Sequence, residues 1–193
     1  MKKYLKTVIV VSIMALLCVG YFFYLSNRSE TKDSTDKSVD NQELAALTTK
    51  DIEKEYPESP KEVVKLYARI TKAYYKTELT DEQIEALGTR ARLLFDDELK
   101  GTQTDEEFME ALKADIADYR SAGRYVSDFA IDGSQAVKYT TLEDKQYASL
   151  IVLYNVREGS KLYNSYTRFV LRKDDAGRWK ILYWELVNDG SDE

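Results

Sequence analysis

Two hydrophobic periods divide this chain of 193 residues, and the switch between them limits the folds open to it. As far as Tyr119 the apolar residues recur every three or four positions. Val63, Tyr67, Ile70 and Tyr74 form one such set, Ile84, Leu87, Ala91 and Leu94 a second, and Phe108, Leu112, Ile116 and Tyr119 a third. That spacing gathers side chains on one side of a helix, whereas alternation gathers them on one face of a strand. From Tyr125 the residues alternate, predicting strands at Tyr125–Ile131, Gln135–Leu142, Gln146–Arg157, Leu162–Lys173 and Arg178–Val187.

Local signals agree with the switch. Ser59-Pro60-Lys61-Glu62, Thr80-Asp81-Glu82-Gln83 and Thr104-Asp105-Glu106-Glu107 each carry a hydroxyl followed three residues later by Glu or Gln, the pattern that satisfies free amides at a helix start. Gly88 falls inside the second helix, while Gly101 and Gly123 stand where the second and third should stop. A shorter turn at Thr49–Glu55 precedes them. Turn residues separate the strands at Asp132-Gly133-Ser134, Glu143-Asp144-Lys145, Gly159-Ser160 and Asp174–Gly177. Helices followed by a run of strands predict an α+β domain, three helices packed on a twisted antiparallel sheet of four to five strands.

Loop lengths predict which residues share a face. Loops of two residues at Gly159-Ser160 and four at Asp174–Gly177 put Ala148, Leu150, Val152, Tyr154 and Val156 together with Tyr163, Thr167, Phe169, Leu171, Leu182, Trp184 and Leu186, as a core face. The opposite face then holds Tyr147, Ile151, Leu153, Tyr166, Arg168, Val170, Arg172, Trp179, Ile181, Tyr183 and Glu185. In this register Arg168 faces Tyr183 and Tyr166 faces Glu185.

Ahead of the domain lies a different kind of segment. Thr7–Leu25 contains nineteen mostly apolar residues and no charge. As a helix it is about 28 Å long, close to the hydrocarbon thickness of a bilayer. Lys2, Lys3 and Lys6 precede it and Tyr21, Phe22, Phe23 and Tyr24 close it, so the expectation is one membrane span with residues 1–6 in the cytoplasm. A cleaved signal peptide would be followed by small residues, whereas the exit here is Tyr24-Leu25-Ser26-Asn27-Arg28. Cys18, set among apolar neighbours, lacks the context of a lipoprotein cysteine. Residues 26–48 are expected to form a solvated stalk, because Val39 is the only apolar residue between Ser26 and Glu43. The domain is expected at 49–188, with a disordered tail at 189–193.

Composition removes much chemistry. The chain has no histidine and one cysteine, so a Ser-His-Asp triad, a Cys-His dyad, a His-ligated zinc and an internal disulfide are excluded. No phosphate-binding glycine loop or nucleophile elbow occurs. Asp96-Asp97-Glu98 is read as a solvated acidic patch on a helix and not as a metal site, since neighbouring helical positions diverge. Beyond Leu25 there are 25 basic and 34 acidic residues, a net charge of −9. Within that part Asp51–Arg120 carries −7 and Ser121–Val187 carries +2. Nucleic acid is therefore not expected as a partner, nor is any metal, cofactor or catalytic residue. The candidate binding residues are Tyr166, Arg168, Tyr183 and Glu185, because an arginine beside aromatic rings and one carboxylate can hold an anionic or carbonyl ligand. The same lattice also suits a solvated or self-associating face.

Helices leading into a twisted sheet that closes on Gly177-Arg178-Trp179-Lys180-Ile181-Leu182 resemble the nuclear transport factor 2-like, cystatin-like cone fold over roughly residues 49–188. Ser59–Tyr67, Leu112–Tyr119 and Tyr183-Trp184-Glu185-Leu186-Val187 are similar to an uncharacterised family of membrane-anchored proteins from Gram-positive bacteria. That resemblance implies an anchor and an extracytoplasmic domain at the cell membrane, with no known activity; the expected function is a non-catalytic binding or interaction module, with an envelope protein or a small ligand as partner. Enzymes of the cone fold place an acid–base group inside the cone, which leaves a small hydrolase or isomerase with an Asp/Tyr pocket as the alternative.

Overall fold

The computed structural model describes residues 40–76 and 78–188. The expected span at Thr7–Leu25, the stalk up to residue 39 and the tail at 189–193 lie outside the described residues. Residues 40–49 are helical (α1). Then come α2 (Pro60–Lys76), α3 (Asp81–Leu93), α4 (Asp97–Lys100) and α5 (Asp105–Ser121), followed by β1 (Arg124–Ile131), β2 (Lys138–Leu142), β3 (Lys145–Glu158), β4 (Lys161–Lys173) and β5 (Trp179–Val187). The class is α+β, with helices against a five-stranded antiparallel sheet.

The start signals act as read. Thr80 and Thr104 each accept a hydrogen bond from the amide three residues on, and Gln83 and Glu107 answer to the cap's own amide. Ser59 Oγ accepts from Glu62 N at 3.2 Å. Two helical expectations are corrected. Residues 40–48, expected in the stalk, are helical and bury Leu44 and Leu47, because two leucines one turn apart suffice to hold a polar helix on a core. And α3 does not run to Gly101 but ends at Leu93, since Leu94-Phe95-Asp96 leave the helix to join the free edge of β5. Ile181 N donates to Leu94 O, and Asp96 N donates to Ile181 O, both at 2.8 Å.

In the sheet β3 is central, paired with β1 along its second half and β2 along its first, and with β4 on the other side; β5 completes the order β1-β3-β4-β5. The hairpin at Gly159-Ser160 sets Glu158 opposite Lys161, as expected. The last hairpin departs from expectation. Gly177 has φ +79° and its amide returns to Asp174 O, while Asp174 N donates to Arg178 O, so the turn closes one residue tighter than four. Lys173 therefore pairs with Trp179, and Leu171 with Ile181. A bulge at Val170/Leu171 then takes up Leu182, and beyond it Phe169 pairs with Trp184 and Arg168 with Glu185. Two slips of one residue cancel in parity. Trp179 and Ile181, expected on the outer face, lie in the core, and Leu182 moves outward, while Trp184 keeps its expected face.

The core joins Ala148, Leu150, Val152, Tyr154, Val156, Phe169, Leu171 and Ile181 of the sheet to Val63, Ile70, Leu87 and Ile116 of the helices. On the same face Tyr163, Trp184 and Leu186 are exposed, the tryptophan by 41%, although its ring also meets that of Tyr67 of α2.

Candidate functional site

Outer-face positions of β3, β4 and β5 converge on a groove of about 500 Å³, lined by Lys138, Leu142, Tyr147, Arg168, Tyr183 and Glu185 among others. Arg168 Nη1 donates to Glu185 Oε1 at 3.1 Å, a direct consequence of the bulge that pairs these residues. Three of the four sequence-predicted site residues thus meet. Tyr166 does not line the groove; it sits opposite Val187 instead of Glu185. Trp179 is on the other face, and Arg172 turns to the sheet edge, where it binds the Asp96 carboxylate and reaches Glu98 at 3.1 Å. Asp96 is accordingly no solvated residue: it is buried, caps α4 by accepting from Glu98 N, and holds Arg172. Lys138 and Leu142 join the groove because the expected turn at Glu143-Asp144-Lys145 is in fact the two-residue turn Glu143-Asp144, with φ of +50° and +62°, which pairs Leu142 with Lys145 and so sets the face of β2. Two basic groups and one carboxylate give the groove a net charge of +1 within an acidic chain.

A second concavity, missed by the sequence reading, lies among the helices. Tyr67, Thr71, Tyr74 and Tyr75 of α2, Arg92 of α3, Phe95, Phe108, Leu112 and Asp115 of α5 and its approach, and Trp184 of β5 enclose about 400 Å³. Helical spacing on α2 supplies its floor, and the departure of Phe95 from α3 supplies a wall. The Tyr67 ring lies 5.6 Å from that of Phe95 and 5.5 Å from that of Trp184, and Phe95 meets Phe108 edge-on at 5.8 Å. Tyr75 donates its hydroxyl to the Asp115 carboxylate. Arg92 stacks over Phe108 at 5.2 Å, donates to the carbonyls of Lys100 and Gln103, and has Nε 2.5 Å from Asp105 Oδ1. The Tyr74 hydroxyl is buried and meets no hydrogen-bond partner among the described residues.

Burial pushes the hydroxyls of Tyr67, Tyr74 and Tyr75 well above the ordinary value of 10, and the charge of Asp115 adds to this at Tyr67 and Tyr75. All three remain protonated at neutral pH and act as hydrogen-bond donors, not bases. Among the described residues no three carboxylates or thiols cluster to hold a metal ion. Nor is any described helix long and apolar enough to cross a membrane.

A family model described as a domain of unknown function, DUF6715, matches residues 1–184, and the chain belongs to that family. No curated protein matches the chain.

Proposed function

We propose that this member of the DUF6715 family is a single-pass membrane protein of a Gram-positive envelope. Its extracytoplasmic domain, nuclear transport factor 2-like, binds an envelope partner or a small ligand without catalysing a reaction. The uncharged run at Thr7–Leu25 and the lysines before it support the anchor. Helices leading into a twisted antiparallel sheet support the fold reading. The observation that carries the binding reading is the groove built around Arg168–Glu185, with Tyr147 and Tyr183 beside it and Lys138 adding a second positive charge. It fits a carboxylate or carbonyl group on the ligand.

The alternative, an Asp/Tyr pocket enzyme, has the Tyr75–Asp115 pair in its favour. The tyrosines there are too weakly acidic to serve as bases near neutral pH. The test is photo-crosslinking in native membranes from position 183, with Tyr183 replaced by a photoreactive phenylalanine analogue. Discrete adducts are expected, lost when Arg168→Ala is added while the melting temperature stays within about 2 °C. Adducts indifferent to Arg168 would refute the reading.

A further inference from the structure

We propose that the pocket among the helices is a second binding site, distinct from the sheet groove, for an organic monocation: a substituted ammonium ion that carries an apolar body. Its walls are the first reason. Tyr67 and Tyr75 of α2, Phe95, Phe108 of α5 and Trp184 of β5 present aromatic rings around about 400 Å³, with Leu99 and Leu112 between them. The faces of such rings are electron-rich and attract a cation, most of all an alkylammonium that holds its water weakly. A cavity of this size takes more than an ammonium head, so the ligand carries an apolar substituent to fill the rest.

The charges are the second reason. Asp115 lines the same pocket and accepts the Tyr75 hydroxyl, a neutral donor that leaves the carboxylate its full negative charge. Among the described residues no basic side chain pairs with it; Lys113, two positions before it on α5, is engaged by Asp81 and Glu85. Burial first, and then the Asp115 carboxylate, push the hydroxyls of Tyr67 and Tyr75 upward, so its charge is felt at the rings. Arg92, also in the lining, does not invert the balance. Its guanidinium lies over Phe108, has Nε 2.5 Å from Asp105 Oδ1, and donates to the carbonyls of Lys100 and Gln103. Arg92 and Asp105 offset each other, and Asp115 leaves the site at −1 within Asp51–Arg120, which carries −7. That field draws a cation in and repels an anion.

The test uses the full-length chain in dodecyl maltoside, a detergent without charge, and three probes of one shape. They are 4-(trimethylammonio)benzyl alcohol, its carbon isostere 4-tert-butylbenzyl alcohol, and the anion 4-tert-butylbenzoate. Binding is read by calorimetry, less the heat of titration into detergent alone. The ammonium probe is expected to bind about tenfold more tightly than its carbon isostere. Asp115→Asn keeps an oxygen for the Tyr75 hydroxyl and removes the charge. It should weaken the ammonium probe about fivefold, leave the isostere unchanged, and leave the melting temperature unchanged. Asp118→Asn removes the same charge from an exposed position of α5 outside the lining and should change neither affinity. Arg168→Ala should leave the ammonium probe unaffected, which separates this site from the groove. Because the groove fits carboxylates, the benzoate is compared in that variant, where it should bind more weakly than the ammonium probe.

The proposal fails if the ammonium probe gives no heat beyond the detergent blank, or if the carbon isostere binds as tightly. It fails equally if the benzoate is the tighter ligand of Arg168→Ala. Asp115→Asn weakening ammonium and isostere to the same extent would overturn it, since the carboxylate would then serve only the shape of the pocket. Equal losses from Asp115→Asn and Asp118→Asn would overturn it too, because the attraction would belong to the acidic surface at large.

Discussion

At the scale of single residues, burial ranks the aromatic positions of the sheet in an order that alternation alone does not. Phe169 is 1% exposed and Trp184 is 41% exposed, although they are paired on the same face. Phe169→Ala should therefore cost about 3–5 kcal/mol, Trp184→Ala about 1–3 kcal/mol, and Arg168→Ala at most about 1 kcal/mol. Urea midpoints of the three variants check that ranking, and equal losses at Trp184 and Phe169 would contradict it. Lys180 provides a pH test. It is 8% exposed, donates to Leu93 O at 2.6 Å, and sits 4.3 Å over the Tyr56 ring. Burial, helped by Arg178 and Lys100 and opposed by Asp174 and Asp97, pushes it down to about 8. Between that value and roughly 10.4, where an unfolded lysine titrates, the unfolded chain binds more protons, so stability from this group rises with pH. The buried tyrosines act in the opposite sense, but only as pH approaches 10. Denaturation between about pH 7.5 and 9.5 should show a rise in wild type that Lys180→Met flattens. A profile unchanged by the substitution would mean that the ammonium is not held dry.

At the scale of elements, capping boxes and hairpins are local devices, and they operate where the sequence places them. Thr80 and Thr104 close their boxes within three residues, and Gly159-Ser160 sets its hairpin through four. α1 is different. Its composition is that of a solvated linker, and its two leucines matter only because a core exists to receive them. A chain shortened to begin at Lys50 removes Leu44 and Leu47 and should lose about 3–6 kcal/mol relative to one beginning at Asp40. Identical midpoints for the two would show that α1 contributes nothing to the fold. The end of α3 belongs to the same class of effect. Nothing between Leu93 and Asp96 breaks a helix locally; the edge of β5 offers backbone hydrogen bonds that the helix would otherwise make for itself.

At the scale of the whole molecule, charge and topology frame the remaining expectation. If residues 1–6 are cytoplasmic and Thr7–Leu25 spans the bilayer, protease added to cells stripped of their wall should remove the domain and spare the N-terminus. Recovery of a mature chain beginning near Ser26 would overturn the anchor. The order of the three long helices and the strands, the starts of α2, α3 and α5 and the faces of β3 were legible in the sequence, because each depends on side-chain period or on bonds spanning a few residues. Arg168, Tyr183 and Glu185 were legible together for a less secure reason: two register slips, at the Gly177 turn and at the Leu182 bulge, restored the parity that a simple loop count assumed. Their true pairing, Arg168 with Glu185, required the bulge to be seen. The pocket at Tyr74 was not legible at all, since its walls come from Tyr67, Arg92, Asp115 and Trp184, positions that no period relates. Local chemistry determined the elements of this chain. Only tertiary packing, which sets how far α3 runs and how β5 lies against β4, decided where its cavities fall.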